Sequence, residues 1–480
     1  MRLTTSAALV LMALASASAG AQSDEQRSTL ADQQNVAITI YNENLALIKD
    51  QRKLQLKSGV STLAFRDVSA KMRPETALLR SLSGPGSLSV LEQNFDFDLL
   101  TPQSLLEKYV GQTVNVIRTN TATGQETTES AQVLSANGGV VLKIGQRIET
   151  GVPGRIVFDG VPAKLRDRPT LLMNLENEGK SQQDVELSYL TGGLSWKADY
   201  VVELNPTDDK LDISGWVTLT NTSGATYRNA KLQLVAGDVN QVRQRVFVTG
   251  SMLRKEAAPV MAAPAPMAEE SLFEYHLYTL GRPTTVAENQ TKQVALLSAA
   301  GVPVRKELLL KGASNYYQGN AGDLGQKIKV GVFVEFENRE ANHLGMPLPK
   351  GVIRVYKKDG AGNAQFIGED SVDHTPKNEK VRLKLGDAFD VTADRKQTDF
   401  KKIGGSGKYN YVYESAYEIV LKNAKKEAVV VTVQEPMPGD WQVLSESHPH
   451  TKDAASTAVW KVSVPAEGKT TLTYRSLVRF

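Results

Sequence analysis

Apolar and polar residues alternate with a period of two through most of the chain, and helical spacing is rare. The densest such stretch is residues 189–240. Within 195–204, Trp196, Ala198, Tyr200, Val202 and Leu204 share one face, and Lys197, Asp199, Val201 and Glu203 share the other. That alternation places one side of a strand in a core and leaves the other polar. Residues 211–220 repeat it. Leu211, Ile213, Val217 and Leu219 lie on one side, and Ser214, Trp216 and Thr218 on the other. Ala230, Leu232, Leu234 and Ala236 line a third strand, and the clusters at 205–209 and 221–224 are rich in turn residues. The spacing predicts three consecutive strands forming a meander within one sandwich sheet.

The same reading extends in both directions. Residues 22–35 are polar and read as a flexible lead-in. Val36, Ile38, Ile40, Leu54 and Leu56 alternate around turns at 42–44 and 57–59, which predicts a small N-terminal β-domain over 36–92. Pro102 opens a short helical pattern over 102–108. Four or five short strands follow, with Asn137-Gly138-Gly139 as a hairpin signal, so 93–165 reads as a small SH3-like barrel. Residues 166–480 read as sandwich domains. They are interrupted at 251–270 by an Ala/Pro/Met-rich stretch with prolines at 259, 264 and 266, expected as a mobile loop. Near the end, Tyr409, Tyr411, Tyr413, Ser415, Tyr417, Ile419 and Leu421 fall on one face of a long strand. Core packing is the expectation for this stripe; a platform for sugars or peptides is the alternative. The fold class is therefore all-β and mainly antiparallel. It is multidomain, with an Ig-like β-sandwich core beside the N-terminal β-domain and the barrel.

Composition narrows the class. The chain has 480 residues, a prior of roughly three domains. It is 41% hydrophobic and 23% charged, as folded proteins are, and its formal charge of +3 gives no footprint for nucleic acid. Residues 1–21 read as a signal peptide: Arg2, an apolar run over 7–14, then Ala19-Gly20-Ala21. That run is too short to span a bilayer, and no integral membrane span is expected elsewhere. A closing Arg479-Phe480 would suit an outer-membrane barrel, but scattered Lys and Glu leave no continuous lipid-facing band. With no cysteine, the chain has no disulfide, thiolate metal site or cysteine nucleophile. Export without cysteine suggests a bacterial envelope protein, periplasmic or at the cell surface.

Two blocks carry a family resemblance. They are YLTGGLSWKADYVVEL followed by WVTLTNTSGATYRNAKLQLVAGDVN, and the C-terminal PMPGDWQVLSES with TLTYRSLVRF. The chain resembles the bacterial family catalogued as domain of unknown function 4139, whose relatives include the mucoidy inhibitor A proteins. YNENLALIKDQRKLQLKSGVSTLAFRDV looks like the companion N-terminal segment. The relatives carry a coiled-coil-like segment between the two parts, whereas residues 93–165 here show no sustained heptads. The resemblance implies fold and compartment rather than chemistry.

Catalytic patterns are sparse. Of five histidines, only His448 and His450 are close, and Pro449 between them favours a loop over a metal site. Asp96 and Asp98 lack calcium-loop spacing. GGSG at 404–407 is not a nucleophile elbow. There is no zinc-protease helix, phosphate loop or dinucleotide fingerprint. Gly192-Gly193 and Gly237-Asp238 read as turn devices, and Asn221 and Asn289 as chance sequons. No catalytic, cofactor-binding or metal residue is assigned. The expected function is a non-enzymatic binding or scaffold protein in envelope or surface-polysaccharide maintenance, with a protein or polysaccharide partner. The alternative is an exported hydrolase of glycan or peptide using loop carboxylates.

Overall fold

The computed structural model describes residues 25–84, 86–151, 154–162, 165–237, 239–240, 267–405 and 407–480. The expected signal peptide, and residues 251–266 of the expected mobile loop, lie outside them. The fold is all-β with multiple, mostly antiparallel sheets. Among the described residues no helix is long and apolar enough to cross a membrane. The described residues divide into two compact units, those within 1–36, 47–192 and 223–225, and those within 37–46, 193–222 and 226–480.

In the first unit, strand Thr170–Asn177 lies between Gly59–Arg66 and Leu88–Asp96, antiparallel to both. The lead-in contributes structure: Glu25–Ser28 pairs in parallel with Gly59–Arg66, and Thr29 caps a short turn before the next strand begins at Gln33. Arg52 explains why this polar segment is held. It is fully buried over the Phe65 ring, 3.7 Å away, and donates to Asp50 (2.8 Å), Ser28 (3.2 Å) and the Arg66 carbonyl (2.8 Å). A buried guanidinium persists only when its donors are matched in this way.

The expected barrel is an open five-stranded sheet instead. Its order is Arg147–Glu149, Val141–Ile144, Glu126–Ser135, Thr113–Thr119, Arg155–Val157, and the two outer strands do not pair among the described residues. These outer strands have three residues each, too short to supply a closing ladder. Val114, Val116, Ala131, Val133, Leu142 and Ile144 make its core. Helix Pro102–Lys108, capped by Thr101, supplies Leu105 and Leu106 against one side.

The second unit contains two sandwiches. In the first, Leu194–Leu204 pairs antiparallel with Lys210–Asn221 and in parallel with Gly351–Lys358. Trp196, Ala198, Tyr200, Val202 and Leu204 are buried, as the alternation predicts. The predicted meander stops after two strands. Tyr227–Ala236 instead joins another sheet, pairing with Tyr275–Thr279 and in parallel with residues 37–41. Alternation marks which face is buried and is blind to which sheet a strand enters. Trp196 meets Tyr278 edge-on across the interior at 6.4 Å. Ala268–Leu272, whose first three residues fall at the end of the expected loop, form the edge strand beside Tyr275–Thr279.

Three long strands lead into the second sandwich: Gln290–Lys311, Asp323–Glu337 and Lys380–Lys402. The first part of Gln290–Lys311 pairs with Lys210–Asn221; its last part pairs with Asp323–Glu337 and Val429–Pro436. Register shifts punctuate these ladders, and such bulges bend a strand. Lys380–Lys402, Val412–Asn423, Gly468–Arg479 and Asp440–Glu446 then form one sheet. Val429–Pro436, Thr457–Val464 and His450–Ala454 form the other.

Asp199 gives the first sandwich a pH dependence. It is buried and accepts hydrogen bonds from Thr218 (2.7 Å) and Arg354 (3.1 Å). Burial opposes its charge, but these bonds and the neighbouring Lys197 hold the carboxyl below its usual value. A depressed carboxyl contributes stability above its unfolded pKa, about 3.9, and loses it as pH falls through the folded value. Asp199→Asn is expected to cost about 1–3 kcal/mol near neutral pH. It should also flatten the loss of stability below about pH 4, as read from urea melts across a pH series.

Candidate binding site on the C-terminal sandwich

The tyrosine stripe divides at the middle of its strand. From Ser415 onward, Tyr417, Ile419 and Leu421 are buried in the sandwich core. Tyr417 stacks on Tyr474 at 5.0 Å, directly across the ladder, and Tyr474 stacks on Trp460 at 4.6 Å. Beneath these rings lies an ion pair. Arg395 donates to Glu435 at 2.6 Å, with side chains 1% and 0% exposed. Glu435 also accepts from Tyr317 (2.9 Å), whose hydroxyl shares a bond with that of Tyr474 (2.8 Å). Burial pushes the Glu435 carboxyl up, and Arg395 and Tyr317 partly offset it. Gly312 makes room for the carboxylate: a Cβ there would stand 1.9 Å from its Oε2.

Toward the start of the strand the stripe opens. Tyr413 is half-buried and Tyr411 is 49% exposed. Their rings are nearly parallel, 7° apart, with centroids separated by 6.3 Å. Phe400 stacks on Tyr413 at 5.6 Å, and Phe480 meets it edge-on at 6.1 Å. Cross-strand pairing sets this grouping. Tyr413 lies opposite Lys402 and Val478, so Lys402, two residues on from Phe400, points to the same face. The Lys402 ammonium stands 5.5 Å above the Tyr411 ring, and that of Lys408 stands 4.9 Å above Tyr409. The Tyr409 hydroxyl donates to Asp440, and that bond, with Arg479 and Lys408 beyond it, keeps this carboxyl below its usual range. The result is a shelf of flat ring faces edged by cations, suited to stacking and hydrogen bonding.

The outer face of the same sheet carries two adjoining depressions that share Glu418. Two of their lining carboxylates are matched by cations, Glu418 by Lys396 (2.7 Å) and Asp394 by Lys422, and the lining Arg475 pairs with Asp399 and Glu414 (2.9 and 2.5 Å); Asp323 instead accepts from the Gly325 amide and Gln326, and Glu446 from His450. A hydrogen bond from the Lys327 amide, then Lys422, lowers the Asp394 pKa; Arg475 does the same for Asp399. Paired hydrolytic carboxyls need one member held protonated, whereas these partners favour the charged form.

His448 and His450 do not converge. His450 opens a strand, and its Nδ1 bonds Glu446 at 2.9 Å between the rings of Trp441 and Trp460. His448 Nδ1 contacts Ser447 Oγ, also at 2.9 Å. Glu446 accepts from the Trp460 indole as well (2.8 Å), so it ties three strands together. Among the described residues no three His, Cys, Asp or Glu side chains are grouped to hold a metal ion. Asp96 pairs with Arg166 and Asp98 with Lys108. In the turn before Leu194–Leu204, Gly193 has φ +82°, as the paired glycines suggested.

Sequence reasoning passed over Arg395, Glu435 and Phe400, and weighed Phe480 only as part of an outer-membrane signal. A signal was available for the first two. Arg395 is in phase with buried Val391 and Ala393, and Glu435 with buried Val431 and Val433. A charge in step with an apolar stripe marks a buried polar group.

A family model described as domain of unknown function (DUF4139) matches residues 185–480. No curated protein matches the chain.

Glu435→Gln removes the charge that Arg395 faces while keeping the shape. An unpaired buried guanidinium is expected to cost about 3–5 kcal/mol. Loss of that size in urea denaturation, with Lys396→Gln changing stability by less than about 1 kcal/mol, distinguishes the buried pair from an exposed one.

Proposed function

Because the chain belongs to the domain of unknown function 4139 family, whose description assigns no activity, we propose its role from the chemistry of its surface. It acts as an exported bacterial envelope protein of the periplasm or cell surface. It is a non-enzymatic binding or scaffold protein in envelope or surface-polysaccharide maintenance. The shelf of Tyr411, Tyr413, Phe400 and Phe480 carries this reading. Flat aromatic faces left partly in water, beside hydrogen-bonding groups, suit a polysaccharide that presents C–H faces and hydroxyls. The matched carboxylates on the outer face support recognition more than hydrolysis.

The contact between His450 and Glu446 favours a second reading, an exported hydrolase of glycan or peptide. A carboxylate-oriented imidazole is one part of a nucleophilic site. However, the two indoles flank that imidazole, and among the described residues its ring hydrogen-bonds to Glu446 alone.

Tyr411→Ala tests the first reading. Affinity electrophoresis against polysaccharide from the source envelope should show binding weakened about threefold to tenfold, the range for losing one aromatic contact. The circular dichroism spectrum should not change. Equal retention of variant and parent removes the shelf from consideration. Cleavage of envelope glycan or peptide by the parent protein, abolished in His450→Gln, would establish the hydrolase instead.

A further inference from the structure

A second surface feature is distinct from the shelf. In the second unit, Leu204, Val332, Val334, Ile367 and Leu385 line an apolar slot of about 220 Å³. Ile367 is 37% exposed, and Val332 and Leu385 are half-buried, so part of this apolar surface stays in water. Gly368, next to the lining Ile367, lets the strands of Ile367 and Leu385 come close. A Cβ there would stand 2.4 Å from the Leu385 carbonyl oxygen, so the Ala364–Val372 strand can approach Lys380–Lys402 only because this position is glycine. Lys306, Lys357 and Asp208 also line the slot. The single Asp208 carboxylate serves both lysines, at 2.8 and 2.5 Å. Lys357 bonds the Pro206 carbonyl as well. Two ammonium groups against one carboxylate leave one positive charge unmatched. The other charge lining the slot, Asp387, is paired with Lys384 at 3.5 Å.

We propose that this slot binds a free, medium-chain monocarboxylate. The tail covers Ile367, Leu385 and Val332, and the carboxylate lies against Lys306 and Lys357. Three features select that chemistry. The lining is apolar, which rewards a tail. The uncompensated charge at the lysines is a single positive one, which matches a monoanion; a dianion would meet Asp208. The volume falls below the range of roughly 300–1,000 Å³ for drug-sized ligands, which restricts the tail to a short one. A bilayer is a poorer fit, because Asp387 and Lys384 place both signs of charge beside the apolar residues.

Calorimetry on the full chain with a series of straight-chain carboxylates, hexanoate to dodecanoate, tests the proposal. Affinity should rise about fourfold per added methylene and then level off once the slot is full. Octanol should bind more weakly than octanoate. Lys306→Gln should weaken octanoate and leave octanol unchanged. Asp208→Asn separates binding from structure. With the competing carboxylate gone, octanoate should bind several times more tightly. A clamp serving stability alone predicts no gain. The proposal is overturned by absence of saturable carboxylate binding, by equal affinity for octanol, or by an Asp208→Asn variant that folds but binds octanoate no better. Binding to anionic vesicles without binding to the monomeric acid would also overturn it.

Discussion

Continuous main-chain hydrogen bonding through three long strands underlies the second unit. Gln290–Lys311 leaves the sheet of the first sandwich and enters the second, beside Asp323–Glu337 and Lys380–Lys402. A backbone group buried without a partner is costly, so a strand passing between cores must find new partners at each step. The register shifts mark where partners change. They also bend the ladders, so that one strand can serve two interiors. With no cysteine in the chain, this pairing and the packing it permits hold the unit together.

Buried charge recurs in both units with the same logic. Arg52 is matched by Asp50, Ser28 and a carbonyl; Arg395 is matched by Glu435, with tyrosine hydroxyls nearby, although its buried Nε has no hydrogen-bond partner among the described residues. Neither arrangement is good evidence of extra stability, since well-packed apolar groups often do as well. Each does make one packing arrangement much better than its neighbours. If Val429–Pro436 slid by one residue, Glu435 would turn to solvent and Arg395 would lose its partner. The ion pair thus penalises slips that an all-valine face would tolerate.

Much of this was legible from alternation alone. The apolar faces of Leu194–Leu204 and Lys210–Asn221 are buried as the period-two pattern predicts, while Asp199 and Thr218, on the faces read as polar, are buried against that pattern. What alternation could not supply was partnership. Tyr227–Ala236 has a sound strand pattern and still left the expected meander, because its partners lie far away in sequence. The barrel failed for a related reason: closure depends on the length of the two outermost strands, which short apolar runs do not announce. The tyrosine stripe was visible as a stripe. Its division into core and shelf was not, because exposure of Tyr411 depends on how far the opposite sheet extends. Arg395 and Glu435 were readable in principle, as charges in phase with valines. The Lys306–Asp208–Lys357 grouping was not, since it joins a turn to two separate strands.

One pairing has a consequence in time. Residues 37–41 align in parallel with 231–235, and Thr39 bonds Gln233 across 194 positions of sequence. Contacts that distant make folding slow, because loop closure comes before its reward. While the chain emerges from the ribosome, its early strand waits for a partner not yet made. During that interval one edge of the segment Val36–Tyr41 (V-A-I-T-I-Y), apolar and β-prone, lacks its later partner, and an open edge of that kind aggregates unless something shields it. The topology therefore places a demand on the cell that makes it: the nascent chain must be kept apart from its copies for as long as the second half takes to arrive.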